Sequence, residues 1–191
     1  MQKNIIQELK ISIETKQAVI DQLVPQIEQT AKLMITALKS GNKILFFGNG
    51  GSAADSQHLA GELIGRFLKE RRSLPAIALT TDSSILTCLG NDYGFETIFS
   101  RQIEGLAKPG DIAFGLSTSG NSVNVIKALE KAKTMNCKTI ALLGGTGGKI
   151  ADIVDIAIIV PSQQTPRIQE SHITIGHILC KLIESELFPN A

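Results

Sequence analysis

The chain has 191 residues, 43% of them hydrophobic and 19% charged, enough for one domain with a sizeable core and too apolar for a disordered chain. Its formal net charge is +1, aromatic residues make up 4% and tryptophan is absent, which argues against a polyanion-binding surface or a stacking platform for single-stranded nucleic acid. The three cysteines, Cys88, Cys137 and Cys180, form no CxxC pair and no disulfide framework, and the opening MQKNIIQELK does not read as a signal peptide. No apolar run approaches the ~18 residues of a membrane span, so a cytoplasmic protein is expected.

Residues 2–40 carry Ile5, Ile6, Leu9, Ile13, Ile20, Leu23, Ile27, Leu33, Met34 and Leu38 at roughly helical spacing. Pro25 either kinks this helix or begins a second one, and Gly41 stops it. Apolar side chains on more than one face suit packing against another subunit, or a helix that simply covers its own domain. KILFFG reads as a buried strand leaving through a glycine. A helix is predicted over about 53–67, a second strand at PAIALTT, a helical segment near 83–89, a loop at GNDYGF and a helix over 99–107. DIAFGLST is the third strand, VNVIKALEKAKTMN an amphipathic helix, and KTIALLGG and IAIIVPS the fourth and fifth strands. A helix over about 167–187 ends the series. Strands separated by helices predict a single α/β domain over 1–191, with a five-stranded, Rossmann-like parallel sheet covered on both faces and an N-terminal helical extension. Ligands of such sheets bind beyond the carboxyl ends of the strands.

Two loops at that end invite an anion. Gly48-Asn49-Gly50-Gly51-Ser52-Ala53 follows the first strand and opens a helix, where backbone N–H groups and the helix dipole favour negative charge. It partly fits a dinucleotide fingerprint, but the second strand ends near Asp82, well beyond the ~20 positions at which the ribose-binding acid is expected. It lacks the GK[ST] of a P-loop. A tight turn with no ligand is the plain alternative. Ser117-Thr118-Ser119-Gly120-Asn121-Ser122 likewise leads from the third strand into a helix. It suits a phosphate held by hydroxyls and amides, or else a serine-rich turn ending in an ordinary N-cap. Two such loops at one end of a sheet favour a phosphorylated small molecule.

His58 and Glu62 share a helix face, one turn apart, a spacing that fits two metal ligands, an acid–base pair or a solvated surface pair. The last helix adds Arg167, Gln169, Glu170, His172 and His177 among isoleucines and leucines. His177 sits among apolar neighbours, where a lone histidine is usually a satisfied core residue, but all three histidines fall in these two segments, a concentration that points to a site. Imidazole and carboxylate suit zinc, and a Gln oxygen can complete the set. The same groups can take a proton from carbon beside a carbonyl and protonate the other end, with a zinc ion polarising the carbonyl. Such chemistry interconverts an aldose and a ketose through an enediol.

GNGGSAADSQHLAGELIGRF, GNDYGFETIFSRQ, STSGNSVNVIKAL and RIQESHITIGHILCKLIE together resemble the sugar isomerase (SIS) domain, and within it the sedoheptulose 7-phosphate isomerases, or phosphoheptose isomerases. The resemblance implies a three-layer sandwich, a homotetramer packed partly through residues 1–40, and active sites at subunit contacts. It implies conversion of sedoheptulose 7-phosphate to D-glycero-D-manno-heptose 7-phosphate, toward the nucleotide-activated heptoses of lipopolysaccharide and other surface polysaccharides. Carried onto this chain, His58, Glu62, Gln169 and His177 match zinc ligands, one ion per subunit, and Glu62 and His177 the acid–base pair. Asn49, Gly50, Gly51, Glu62, Asn91, Asp92, Ser117, Thr118, Ser119, Ser122 and Gln169 match positions that hold the sugar phosphate. Gly61 departs from the acidic or alanine residue of some members. A non-catalytic SIS protein that binds the bacterial replication initiator is the alternative, which ESELFPNA and RRSLPAIALTTD somewhat resemble. That protein departs from the pattern at the positions of Glu62 and His177, both kept here.

Overall fold

The structure, a computed structural model, describes residues 1–190. The elements run α1 (Gln2–Lys39), β1 (Ile44–Gly48), α2 (Gly51–Ile64), β2 (Ala76–Ala78), α3 (Ser83–Tyr93), a 3-10 turn (Phe95–Thr97), α4 (Ser100–Leu106), β3 (Ile112–Ser117), α5 (Val123–Thr134), β4 (Lys138–Gly144), α6 (Gly148–Ala151), β5 (Ile156–Val160) and α7 (Thr165–Leu187). All five strands are parallel, in the order β2-β1-β3-β4-β5. The order reverses after β2, so β1 and β3 flank the switch point, and their carboxyl ends carry the two glycine- and serine-rich loops.

Alternation along the strands sorts the core into two layers. Ile44 and Phe46 of β1 face one cluster with Ile112 and Phe114 of β3, covered by α1, α2 and α7. Leu45 and Phe47 face the other, with Phe99, Ile103, Val125 and Leu129 from α4, α5 and the turn before them. Every residue of β1 and β3 is buried, as both-face burial of a parallel sheet requires.

Four details differ from the sequence expectation. α1 is one helix of 38 residues that runs through Pro25; Pro25 lies on the exposed side, and Leu23, Ile27, Met34 and Leu38 bury the opposite one. GNDYGF is not wholly loop, because α3 continues through Asn91, Asp92 and Tyr93. The helix expected over 53–67 ends at Ile64, followed by an irregular 65–75 segment. The short α6 was not expected. The first half of α1 touches α7 along one side, where Arg167 Nη1 donates to the Glu8 carbonyl at 2.8 Å and Thr15 is buried; its other side is open, with Ile5, Ile6, Leu9 and Ile13 all more than half exposed.

Candidate active site

α2 and α7 lie side by side on one face of the sheet, and two close approaches set their spacing. The Gln169 amide packs directly over the backbone of Gly51, in the space a side chain would take. One turn before the end of α2, Leu59 presses on Gly176, where a methyl group would stand 2.5 Å from the leucine Cδ2. With backbones this near, His58 and His177 meet across the groove, Nε2 to Nε2 at 2.9 Å. Glu62 Oε1 stands 3.0 Å from the same His58 Nε2. One ligand atom from each of the three lies within 4.8 Å of the others. Phe67, from the segment after α2, stacks on the His177 ring at 5.4 Å between centroids and 25° between planes.

The donor set is what a cation needs. Two neutral imidazoles offer His58 Nε2 and His177 Nε2 at most one useful proton between them, and the Glu62 oxygen competes for it. A divalent ion accepting all three lone pairs resolves the competition. Bonds of about 2.0–2.2 Å in a tetrahedral site put ligand atoms about 3.3 Å apart, close to the spacings found. Gln169 is not with them within the chain: it lies eight residues before His177, about 12 Å of helix rise away, over the turn that starts α2. Asp55, missed in the sequence reading, also belongs here. It is buried, and its Oδ2 has no hydrogen-bond partner. Burial raises its pKa, and positive charge on His58 or His177, when either is protonated, opposes that rise. Its signal was available: Asp55 lies one turn before His58 on the same face.

His172 does not join the site. It is fully buried, and its Nε2–H donates to the Leu143 carbonyl at 2.9 Å. Burial lowers its pKa from 6.5 to about 4, so it is a neutral core histidine. Of the three histidines, the fold brings His58 and His177 together and keeps His172 in the core.

The β1 turn is built around Gly50, at φ 56°, a conformation glycine adopts at least cost. Asn49 is locked side chain to side chain with Asn124 of α5, amide to carbonyl in both directions at 2.8 Å; Asn124 is a second residue the sequence reading missed. At the end of β3, the Ser117 and Ser122 hydroxyls are 3.1 Å apart. Ser122 is not the ordinary N-cap considered above: its side chain makes no capping bond to α5; the Val125 N–H goes to Asn124 Oδ1 at 2.9 Å, and the Val123 and Asn124 amides ahead of it face a ligand position. Thr118 and Ser119 line a cavity of about 270 Å³ with Gly144, Gly145, Thr146 and Gln163. Asn91 and Asp92 are exposed on α3; Asn91 donates to Asp92 at 2.7 Å, and the Cys88 thiol contacts Asp92 at 3.5 Å. The chain by itself does not bring these two to the His58 group.

A glycine turn, a serine loop with free helix amides and a His–Glu–His group form one constellation, and its relatives can be named. The SIS domain family matches residues 10–144. The phosphoheptose isomerase of Aquifex aeolicus is 62% identical over 173 residues, covering 91% of each chain. The chain belongs to the phosphoheptose isomerases. Solved structures agree: the phosphoheptose isomerase from Neisseria gonorrhoeae aligns at a TM-score of 0.92 with 45% identity, over 96% of this chain and 98% of that one. The phosphoheptose isomerase from Francisella tularensis aligns at 0.94 with 40% identity over the same shares.

Proposed function

We propose that the chain is an aldose–ketose isomerase that converts sedoheptulose 7-phosphate to D-glycero-D-manno-heptose 7-phosphate through an enediol, feeding the synthesis of nucleotide-activated heptoses. The observation that carries this is the convergence of His58, Glu62 and His177 on one groove, in a chain whose phosphoheptose isomerase relatives match along nearly its whole length.

Glu62 takes the proton from C1 of the ketose while His177 delivers one to the C2 oxygen, which gives the enediol. Glu62 then returns a proton to C2, and His177 removes the one on the C1 oxygen, so the aldehyde forms with no net change in atoms or electrons. Phe67 covers one face of the His177 ring and holds it in the groove. The Ser117–Ser122 loop and the amides of α5 receive the phosphate, and the Asn49–Asn124 pair, Gly50, Gly51 and the Gln169 amide line the path between. Asn91 and Asp92 reach substrate where chains meet. His58, Glu62 and His177 would hold zinc, whose chemistry is to polarise the substrate carbonyl; Glu62 and His177 move protons only through atoms that are not bonded to the ion, since a lone pair given to a metal cannot also take a proton. Gln169, placed over Gly51, serves the sugar within its own chain; a role as zinc ligand would draw on its reach toward a neighbouring site.

The exposed row Ile5, Ile6, Leu9 and Ile13, continued by Ile20 at 60% exposure, supports packing of α1 against other copies in a homotetramer. No helix among the described residues is long and apolar enough to cross a membrane, which accords with action in the cytoplasm. Zinc content by metal analysis tests the metal reading: one ion per subunit in the wild type, lost in His58→Ala. A wild-type chain that binds no zinc, or a His58→Ala chain that binds it fully, would contradict it. Light scattering reads the subunit number.

A further inference from the structure

One buried charged pair in the molecule has no part in the chemistry above. The Arg71 side chain is fully buried and that of Glu184 is 2% exposed, with Arg71 Nε 2.9 Å from Glu184 Oε1. A pair so placed is a poor source of stability, since apolar side chains of similar size would serve the core as well. What it does supply is directional bonding. Arg71 Nη2 donates to the Glu62 carbonyl at 2.8 Å, and Nη1 to the carbonyls of Leu63 at 2.8 Å and Gly65 at 3.1 Å. These are carbonyls at the end of α2, where no further helix turn provides donors. Glu184 in turn accepts the backbone N–H groups of Phe67, Leu68 and Lys69 at 2.8, 2.8 and 3.1 Å. Burial disfavours its charge, but those three donors and Arg71 outweigh this and hold its pKa below the usual range.

The geometry links three pieces of the site. The α2 end that Arg71 caps carries Glu62. The loop that Glu184 seats carries Phe67, whose ring lies on His177. Glu184 itself sits seven residues after His177 on α7, two turns along the same face. We propose that Arg71 and Glu184 are positioning residues: together they fix the end of α2 at Glu62 and the 65–70 loop, so that Phe67 holds the His177 ring in register with Glu62. This rests on the reading of Glu62 and His177 as the acid–base pair.

The fixed guanidinium fork matters, because it serves the carboxylate and several carbonyls at once, which a lysine ammonium cannot match. Arg71→Lys keeps the charge and loses the fork; Phe67→Leu keeps the apolar volume and loses the stack; Arg72→Gln removes a neighbouring exposed charge as a control. With three histidines in the chain, selective ¹³C labelling of histidine resolves the His177 ring protons, which the Phe67 ring current displaces. In Arg71→Lys those resonances move toward their positions in Phe67→Leu, and kcat falls on the order of 10- to 100-fold in both, with KM for sedoheptulose 7-phosphate within about threefold of wild type. Arg72→Gln matches the wild type in both readouts. A folded Arg71→Lys protein with wild-type His177 resonances and wild-type kcat overturns the proposal. So does an Arg71→Lys protein that unfolds outright while Phe67→Leu keeps full kcat, because the pair then serves stability alone. A wild type that does not turn over the substrate defeats the functional reading instead, and the His177 resonances still decide the clamp.

Discussion

Replacing Gly176 by alanine separates stability from catalysis. The new methyl would stand 2.5 and 2.9 Å from the two Cδ atoms of Leu59 and 3.2 Å from its Cγ. Leu59 is 2% exposed, so it cannot turn out to solvent. Restoring ordinary carbon contacts of about 3.5–4.0 Å opens the gap between α2 and α7 by about 1 Å. Crowding of this kind costs about 1–3 kcal/mol, while alanine over glycine inside a helix returns about 1 kcal/mol. The net loss is roughly 0–2 kcal/mol, which lowers the melting temperature by at most about 8 °C. The site is far less tolerant. His58 and His177, at 2.9 Å, sit on the two helices that part, each next to a residue of the clash. A misplacement of about 1 Å reduces turnover on the order of 100-fold. Turnover at 25 °C and thermal unfolding, measured on the same preparation, make the comparison. Adding Leu59→Ala removes the crowded atoms and is expected to recover part of the turnover, even though that cavity by itself costs about 2–5 kcal/mol. A folded Gly176→Ala protein with wild-type turnover would refute the claim that this contact sets the spacing of the site.

Glu62→Gln keeps the shape of a side chain that is 21% exposed and meets His58, so the melting temperature stays near wild type while turnover falls by about 10²-fold or more; wild-type turnover would remove Glu62 from the proton transfers. His172 has a folded pKa of about 4 against 6.5 when free, so the neutral form is favoured on folding. Stability is then complete above about pH 6.5 and falls as pH drops toward 4, by about 3 kcal/mol in all. Urea unfolding at pH 7 and pH 5 should show a smaller acid loss in His172→Gln, and an equal loss in both proteins would contradict the assignment. Asn49→Ala leaves the buried Asn124 amide without its partner, costs about 1–3 kcal/mol and raises KM for the sugar phosphate; an unchanged KM would place Asn49 outside the substrate path.

The sheet and its flanking helices were legible because their signals are local. Strands such as ILFFG and IAFGLS are short, wholly apolar and bounded by turn residues, and α5 shows a clean apolar stripe. The His58–Glu62 pair was legible from spacing alone, since both lie on one helix. What crosses between elements was not. Asn124 is an unremarkable residue of α5 until the fold sets it against Asn49. Phe67 and the Arg71–Glu184 pair draw on residues more than a hundred positions apart, and no periodicity links them. His172 shows the converse. Its neighbours in sequence suggested a site, but a side chain in an α7 turn facing the sheet meets the Leu143 carbonyl, not the groove. Asn91 and Asp92 extend α3 where glycine and asparagine suggested a loop; both are exposed, and the turn is made later, at Gly94 with φ 88°.

The most direct test of the central claim is to incubate the protein with sedoheptulose 7-phosphate and zinc in D₂O and follow the carbon-bound protons by NMR. The account predicts an aldose product, with deuterium at C2 in part of it, because the proton that Glu62 carries can exchange with solvent during the enediol stage. A folded protein that forms no aldose under these conditions would contradict it.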